Sequence, residues 1–450
     1  MKKLTYILIA LGLTATSCKK FVTIDNAPNS LSPADAFATD GTATSAVLGL
    51  YNNYTTTPIL QYLTWAGGML GHELQNQYAG STPDIAQFQN GDVANTNMTI
   101  LNYFWLYPYQ EISYANQAID GLTKSTTLTT SVKNQLLGES YFMRACNFFY
   151  MANYFGGVPL STDPAMLENA YLPRSSKEEI YAQVISDLKA ADELLPGTYT
   201  GTLRTRINKY AVEALLARVY LYQKDYTNAV AYSSKVIDAS DVKYSLAKLD
   251  STFKNVSPEI ILQFATRYGY ASFNFRPTAQ GIPPSYYLQP ALRDAFETGD
   301  NRKTKWTDSL IYSGSTYYMV NKYKLQTATA GDEYNVLLRL GEVYLIRAEA
   351  SAQLSDLTTA ENDLNAIRNR AGLGNTAATT KDDLLTAIAH ERQVELFGEF
   401  GHRWFDLVRT GKADEVLSKV KTAWAARDTL MPIPYSQILL NTKLTPNPGY

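Results

Sequence analysis

Cysteine is almost missing from this chain: there are two, Cys18 and Cys146, and their positions exclude a disulfide scaffold. Cys18 closes a short apolar run near the amino terminus. Cys146 sits inside an apolar helical pattern, where a lone thiol serves as a small buried hydrophobe. Histidine is as scarce, at three residues. His390 precedes Glu391, but Val394 stands where a zinc-protease helix needs its second histidine, and His72 and His402 have no partner at ligand spacing, so no metal site is expected. Phosphate and dinucleotide loops are missing too. Gly372-Leu-Gly374 ends a helical pattern instead of following a strand and reads as a helix C-cap, Gly411-Lys412 lacks the upstream glycine of a phosphate loop, and no Gly-x-Ser-x-Gly elbow occurs. No cofactor is therefore expected. Past the first 17 residues no apolar run reaches the roughly 18 residues of a membrane-spanning helix. An excess of positive charge is lacking as well, with a formal net charge of −2, so nucleic acid is not an expected partner.

The amino terminus has the form of an export signal. Lys2 and Lys3 precede the apolar run Leu4 to Leu13, and the small residues Ala15, Thr16 and Ser17 lead to Cys18, which places cleavage just before that cysteine. Loss of residues 1–17 removes two lysines and no acidic residue, lowering the formal charge from −2 to −4. Residues 18–35 lack a helical period and read as an anchor and extended tether, with a single domain over 36–450.

With 45% apolar residues the chain can bury a large core, and its 33 tyrosines suit both helix seams and half-wet binding surfaces. Apolar spacing predicts helices over 35–54, 99–122, 132–155, 178–195, 209–223, 226–239, 337–353, 357–370 and 382–409. Small residues mark the contact faces of two hairpins: Ala211, Ala214 and Ala217 against Ala229 and Ala231, then Ala348, Ala350 and Ala352 against Ala360 and Ala366. Helix–turn–helix units of this kind predict a mainly α, tetratricopeptide-like scaffold of hairpins, interrupted by long loop insertions near 56–97 and 240–335. Both insertions are rich in Gly, Pro and aromatic residues, the second with a strand candidate over 259–264. The Pro-rich tail from Leu430 to Tyr450 is expected to be non-helical.

Charges and aromatics alternate most densely over Glu391-Arg-Gln-Val-Glu-Leu-Phe-Gly-Glu-Phe-Gly-His-Arg-Trp-Phe-Asp-Leu-Val-Arg409. Glu391 and Glu395 share a helix face, and Arg392, Arg403, Asp406 and Arg409 are near in sequence. A carboxylate pair for acid/base chemistry is one reading. The arginines match the carboxylates in number, however, so the expectation is a structural ion-pair cluster of Glu391, Arg392, Glu395, Arg403, Asp406 and Arg409 that keeps its acids ionised.

This stretch resembles the C-terminal hallmark of the SusD/RagB family of outer-membrane nutrient-binding lipoproteins. Gly138-Glu-Ser-Tyr-Phe-Met-Arg-Ala145, Tyr154-Phe-Gly-Gly-Val-Pro-Leu160, Arg339-Leu-Gly-Glu-Val-Tyr-Leu-Ile-Arg-Ala-Glu349, Asn365-Ala-Ile-Arg-Asn-Arg-Ala-Gly-Leu373 and the final Asn-Pro-Gly-Tyr extend the resemblance along the chain. It implies a protein lipidated at Cys18 and exposed on the cell outer membrane, binding a glycan for nutrient uptake and passing it to a TonB-dependent (SusC-like) transporter. Some members of the family serve peptide uptake instead. A tetratricopeptide-type adaptor for protein ligands is the alternative from another class; a glycoside hydrolase would need two carboxylates flanking an open cleft, and no enzyme is expected.

Sugar rings present apolar faces and a hydroxyl rim, so their receptors need aromatic platforms beside amide, carboxylate or guanidinium groups. The insertions supply Trp65, Tyr78, Tyr268, Tyr270, Tyr287 and Trp306 as stacking candidates, with Asn76, Asp84, Arg267 and Asn274 as hydrogen-bonding candidates.

Overall fold

The computed structural model describes residues 33–56, 59–271, 275, 277, 281–325 and 330–450; Cys18 and Asn274 lie outside the described residues. Helices run in the order the apolar spacing predicts. Asp40–Thr56 (α1), Ile59–Leu70 (α2) and Pro83–Asn90 (α3) come first, and Tyr107–Lys124 (α4), entered through a π-turn at Ile100–Leu106, pairs with Thr130–Phe155 (α5). Lys177–Leu194 (α6) packs on α5 and begins with a capping box between Ser176 and Glu179. Lys209–Tyr222 (α7) with Tyr226–Ile237 (α8), and Leu340–Gln353 (α9) with Leu357–Arg370 (α10), form two hairpins; Lys381–Leu396 (α11), His402–Arg409 (α12) and Tyr435–Leu440 (α13) follow. α7 rests on α6, α9 on α8, and α11 on both α9 and α10, so the hairpins stack into one tetratricopeptide-like array.

The two hairpin turns are built alike. Lys224 and Ser355 both take the left-handed conformation, at φ of 61° and 67°, and the next residue in each case, Asp225 or Asp356, caps the following helix by accepting the backbone N–H three residues on. The N–H of each aspartate also donates to the preceding helix, Asp225 to Tyr220 and Asp356 to Ser351, both at 2.9 Å. Ala211, Ala214, Ala217 and Ala229 are buried in the first hairpin as expected. Ala231 is exposed, because two residues on from Ala229 the helix has turned its face to solvent; Ser233 and Val236 make the contact instead. Gly372 ends α10 at φ 88°, a C-cap as expected.

Three two-stranded antiparallel ribbons occur among the described residues. Leu74–Asn76 (β1) pairs with Tyr286–Leu288 (β3), Ile260–Phe264 (β2) with Asn335–Arg339 (β6), and Thr307–Tyr312 (β4) with Ser315–Val320 (β5). Residues 337–339 thus belong to a strand and not to the helix predicted to start there. The stretch 56–97 also departs from expectation, for it holds the buried helix α2 and the helix α3 instead of a long irregular loop. Its glycines serve packing. A Cβ on Gly67 would lie 2.3 Å from the Cα of Gly401, and one on Gly68 would lie 2.6 Å from Leu74 Cδ1, so α2 meets the turn before α12 backbone to backbone. In the tail, α13 forms directly after Pro434, where a proline before the first turn removes no helical hydrogen bond.

The ion-pair cluster is real, but its partners come largely from elsewhere. Glu391 and Glu395 are fully buried; Arg302 Nη1 lies 2.6 Å from Glu391 Oε1 and 2.9 Å from Glu395 Oε2. Arg339 adds bonds of 2.6 Å to Glu395, 3.0 Å to Glu259 and 2.8 Å to Glu399, while Arg370 reaches both Glu259 and Glu395. A second group joins Arg392 to Asp406 at 2.8 Å and Arg409 to both Asp406 and Glu349. Arg403 takes no part: it forms no ion pair among the described residues and lies beside Gly71 and within electrostatic reach of Glu73. Burial raises the Glu395 carboxyl, but Arg370, Arg339 and Arg302 outweigh it and hold the group far below its usual range; Arg392 and Arg409 likewise outweigh burial at Asp406. Glu391 departs from expectation, for burial pushes it upward against Arg302 and Arg368.

Arg339 touches three acids, so Arg339→Leu leaves Glu259, Glu395 and Glu399 short of a buried counter-charge. The expected loss is about 3–5 kcal/mol, read as a lower urea midpoint at unchanged slope. Glu73 generates a second prediction. It is 2% exposed, its Oε1 has no hydrogen-bond partner, and burial pushes its pKa to about 8, with Arg403 and Lys322 opposing and Asp406 and Glu399 reinforcing. The folded protein then keeps a proton that the unfolded chain releases near the usual value of 4.5, so this group costs stability progressively as pH rises from there to about 8. Glu73→Gln should flatten the fall in urea midpoint between these limits; superimposable profiles would mean that Glu73 is ionised in the native state.

Candidate functional site

Three backbone pairs join the two sequence-distant insertions. β1 and β3 align Leu74 with Leu288, Gln75 with Tyr287 and Asn76 with Tyr286, and the ladder runs on through Gln77 N–H to Ser285 O (2.9 Å) and Gln289 N–H to Glu73 O (2.8 Å). Alternation along β3 then sorts its two rings. Tyr286 is buried and stacks on Trp65 at 4.5 Å, while Tyr287 is half-buried on the other face, edge-on to Tyr317 of β5 at 5.0 Å. Tyr78, just past β1, is 39% exposed. The ribbon therefore offers Tyr287, Tyr317 and Tyr78 as accessible rings on a backbone fixed by α2 and β5.

Trp65 is half-buried against the core and its Nε1 is sealed without a partner, so it supports Tyr286 from behind. From it a ladder of rings runs across α2. Tyr62 meets Trp65 edge-on at 5.4 Å and stacks on Tyr103 at 3.7 Å, and Tyr103 is followed by Tyr107 at 5.6 Å. Sequence reasoning placed residues 99–122 in the scaffold and missed these rings; the four-residue spacing of Tyr103 and Tyr107 was the available signal.

Other candidates hold structural positions. Trp306 is fully buried: its Nε1 donates to Leu249 O at 2.9 Å and its ring lies against Lys322, Arg370 and Arg339, at 4.7, 5.1 and 5.8 Å. It walls the ion-pair cluster and presents no surface to a ligand. Asn76 is buried and turns its Oδ1 to the N–H of Tyr78 at 2.6 Å, which fixes the backbone carrying that ring. Asp84 Oδ2 accepts the N–H of Met98 at 3.1 Å. Arg267 is exposed and covers Tyr268, which is 44% exposed and parallel to Tyr270 at 6.2 Å, so these three form an accessible group within the second insertion.

The acid/base reading of Glu391 and Glu395 meets a geometric obstacle, since both are fully buried and share Arg302. A glycosidase needs its carboxyl groups on an open cleft. Among the described residues no helix is long and apolar enough to cross a membrane.

Residues 206–450 match the family model described as "SusD family", and residues 61–221 match "Starch-binding associating with outer membrane". SusD-like proteins P38 and P2 of Formosa agariphila are each 26% identical to the chain, the first over 99% of this chain and 98% of its own, the second over the full length of both. Among solved structures, a SusD superfamily protein from Bacteroides vulgatus superposes with a TM-score of 0.80 at 21% identity, covering 91% of this chain and 99% of its own. A laminarin-binding SusD-like protein superposes at 0.75 with 25% identity and the same coverage of both chains. The match over more than half of the chain, on an array of stacked hairpins closed by the Glu391–Arg409 hallmark, makes this chain a member of the SusD/RagB family.

Proposed function

We propose that the protein is a cell-surface lipoprotein that holds a glycan without altering it and delivers it to a TonB-dependent outer-membrane transporter. Residues 1–17 are the export signal, Cys18 carries the lipid, residues 18–35 form the tether, and 36–450 is the binding domain. The observation that carries the binding role is the β1–β3 pairing, which brings two insertions more than 200 residues apart in sequence into one ring-bearing face. Tyr287, Tyr317 and Tyr78 supply stacking surfaces, and Tyr268, Tyr270 and Arg267 offer a further aromatic and guanidinium group. The "outer membrane" and "starch-binding" wording of the matching family and the laminarin-binding relative favour a glycan over a peptide. Non-catalytic binding is favoured because the carboxylates most able to do acid/base work are sealed among arginines.

Calorimetry with laminarin and a panel of other neutral glycans tests the binding role. Tyr287→Ala and Tyr78→Ala should each weaken the retained glycan by about tenfold to a hundredfold, the cost of one lost ring stack, with little change in melting temperature. Unchanged affinity in both variants would place the site elsewhere. The anchor is tested separately: metabolic labelling with a fatty acid should mark the wild type and not Cys18→Ala, and equal labelling of both would refute it.

A further inference from the structure

The ring ladder from the β1–β3 ribbon does not stop at Tyr107. It opens into a groove of about 740 Å³ along the outer side of α4, lined among others by Asn102, Tyr103, Tyr107, Gln110, Tyr114 and Gln117. Within α4 the last four follow spacings of three, four and three residues, the stripe of a single helix face, while Ile112, Ala115, Ala118 and Leu122 form the buried face. An apolar-and-amide stripe of this period ordinarily seats a neighbouring helix. Here it faces solvent, with Tyr114 40% and Leu106 44% exposed.

The lining chemistry is selective. No residue lining the groove is charged; it consists of tyrosines, amides, one serine and one leucine. Gln110 Nε2 donates to Tyr114 Oη at 2.9 Å and Gln117 Nε2 to Ser113 Oγ at 3.3 Å, which sets amide edges beside ring faces. Rings flanked by neutral donors and acceptors fit an uncharged, polyhydroxylated chain and offer nothing to an anionic or cationic one. A second hollow of about 740 Å³ shares Tyr114 and Gln117 and continues past Asn53 and Asp120, the latter paired with Lys124 at 2.8 Å, so the groove leads on at its far end instead of closing into a terminal pocket. From Tyr107 to Gln117 alone the helix face is roughly 15 Å long, at about 1.5 Å per residue.

We propose that the α4 groove is a second binding segment, which takes the continuation of a neutral, linear polysaccharide whose first part lies on the β1–β3 ribbon. The ring contacts from Trp65, behind Tyr286, through Tyr62 and Tyr103 to Tyr107 join the inner side of the ribbon to the groove. The ligand class is thereby narrowed to uncharged chains bound along internal stretches, and affinity rises with chain length until the groove is filled. This rests on the glycan-binding role argued above.

The test uses the full chain with Gln110→Ala/Tyr114→Ala, two surface residues outside the ribbon. Wild type is first screened against laminarin, starch, xylan and mannan, with a uronate-bearing polysaccharide for comparison. Short and long oligosaccharides of the glycan retained are then titrated into both proteins. The double variant should lose about tenfold in affinity for long oligosaccharides and nothing for short ones, at wild-type melting temperature. Wild-type affinity for long chains in the variant, equal losses for short and long chains, or preference for the uronate polymer would each overturn the groove assignment while leaving the ribbon site standing. A wild type that retains no glycan would overturn the glycan-binding role and the groove with it; a protein found seated on Tyr114 in its place would reassign the face to an interface.

Discussion

Buried charge organises this fold. Arg302, Arg339 and Arg370 each meet more than one carboxylate, and those carboxylates, Glu259, Asp300, Glu391, Glu395 and Glu399, come from three separate parts of the chain. A buried pair gives little net stability over a well-packed apolar substitute, but a broken one is costly, so such a cluster acts chiefly against misassembly. Register follows from it. Arg339 can reach Glu259 only if β6 lies against β2 with Arg339 opposite Ile260, and this same pairing fixes where α9 begins and where the second insertion leaves the scaffold.

The lock and the ring-bearing face are therefore mechanically connected. Trp306 backs the cationic side chains and directly precedes β4, whose partner β5 sets Tyr317 against Tyr287. On the opposite flank, Gly67 lets α2 approach Gly401 at backbone distance, which holds Trp65 and Tyr62 in line with the ribbon. Lys421 completes the flank: its buried ammonium donates to Met69 O at 2.8 Å and to Gln89 O, closing the carboxyl ends of α2 and α3 together.

The scaffold was legible in the sequence because its signals are local. Apolar period, the Lys224-Asp225 turn and the Ser176 cap each specify a conformation within a few residues. The loops were less legible for two physical reasons. Glycine marks both turns and close approaches, and at Gly67 and Gly71 it serves the latter, against Gly401 and Trp404, which lie beyond any sequence window. Aromatic residues likewise serve ligands and cores alike; Trp306 and Tyr287 are equally conspicuous in sequence, and only the fold buries one and leaves the other half-open. Of the six residues expected in the charge cluster, five form ion pairs and Arg403 forms none among the described residues, while Arg302, Arg339 and Arg370, which complete it, are remote from residues 391–409 in sequence.

The two-residue period of β3 carries one more consequence. Tyr286 and Tyr287 are adjacent and chemically identical, and only the register of a three-pair ribbon decides which of them props Trp65 and which meets solvent. A one-residue slip of β3 against β1 would exchange their duties without altering the composition of the ribbon. A change confined to this ribbon would thus alter the tilt and reach of its accessible ring and leave the scaffold residues untouched.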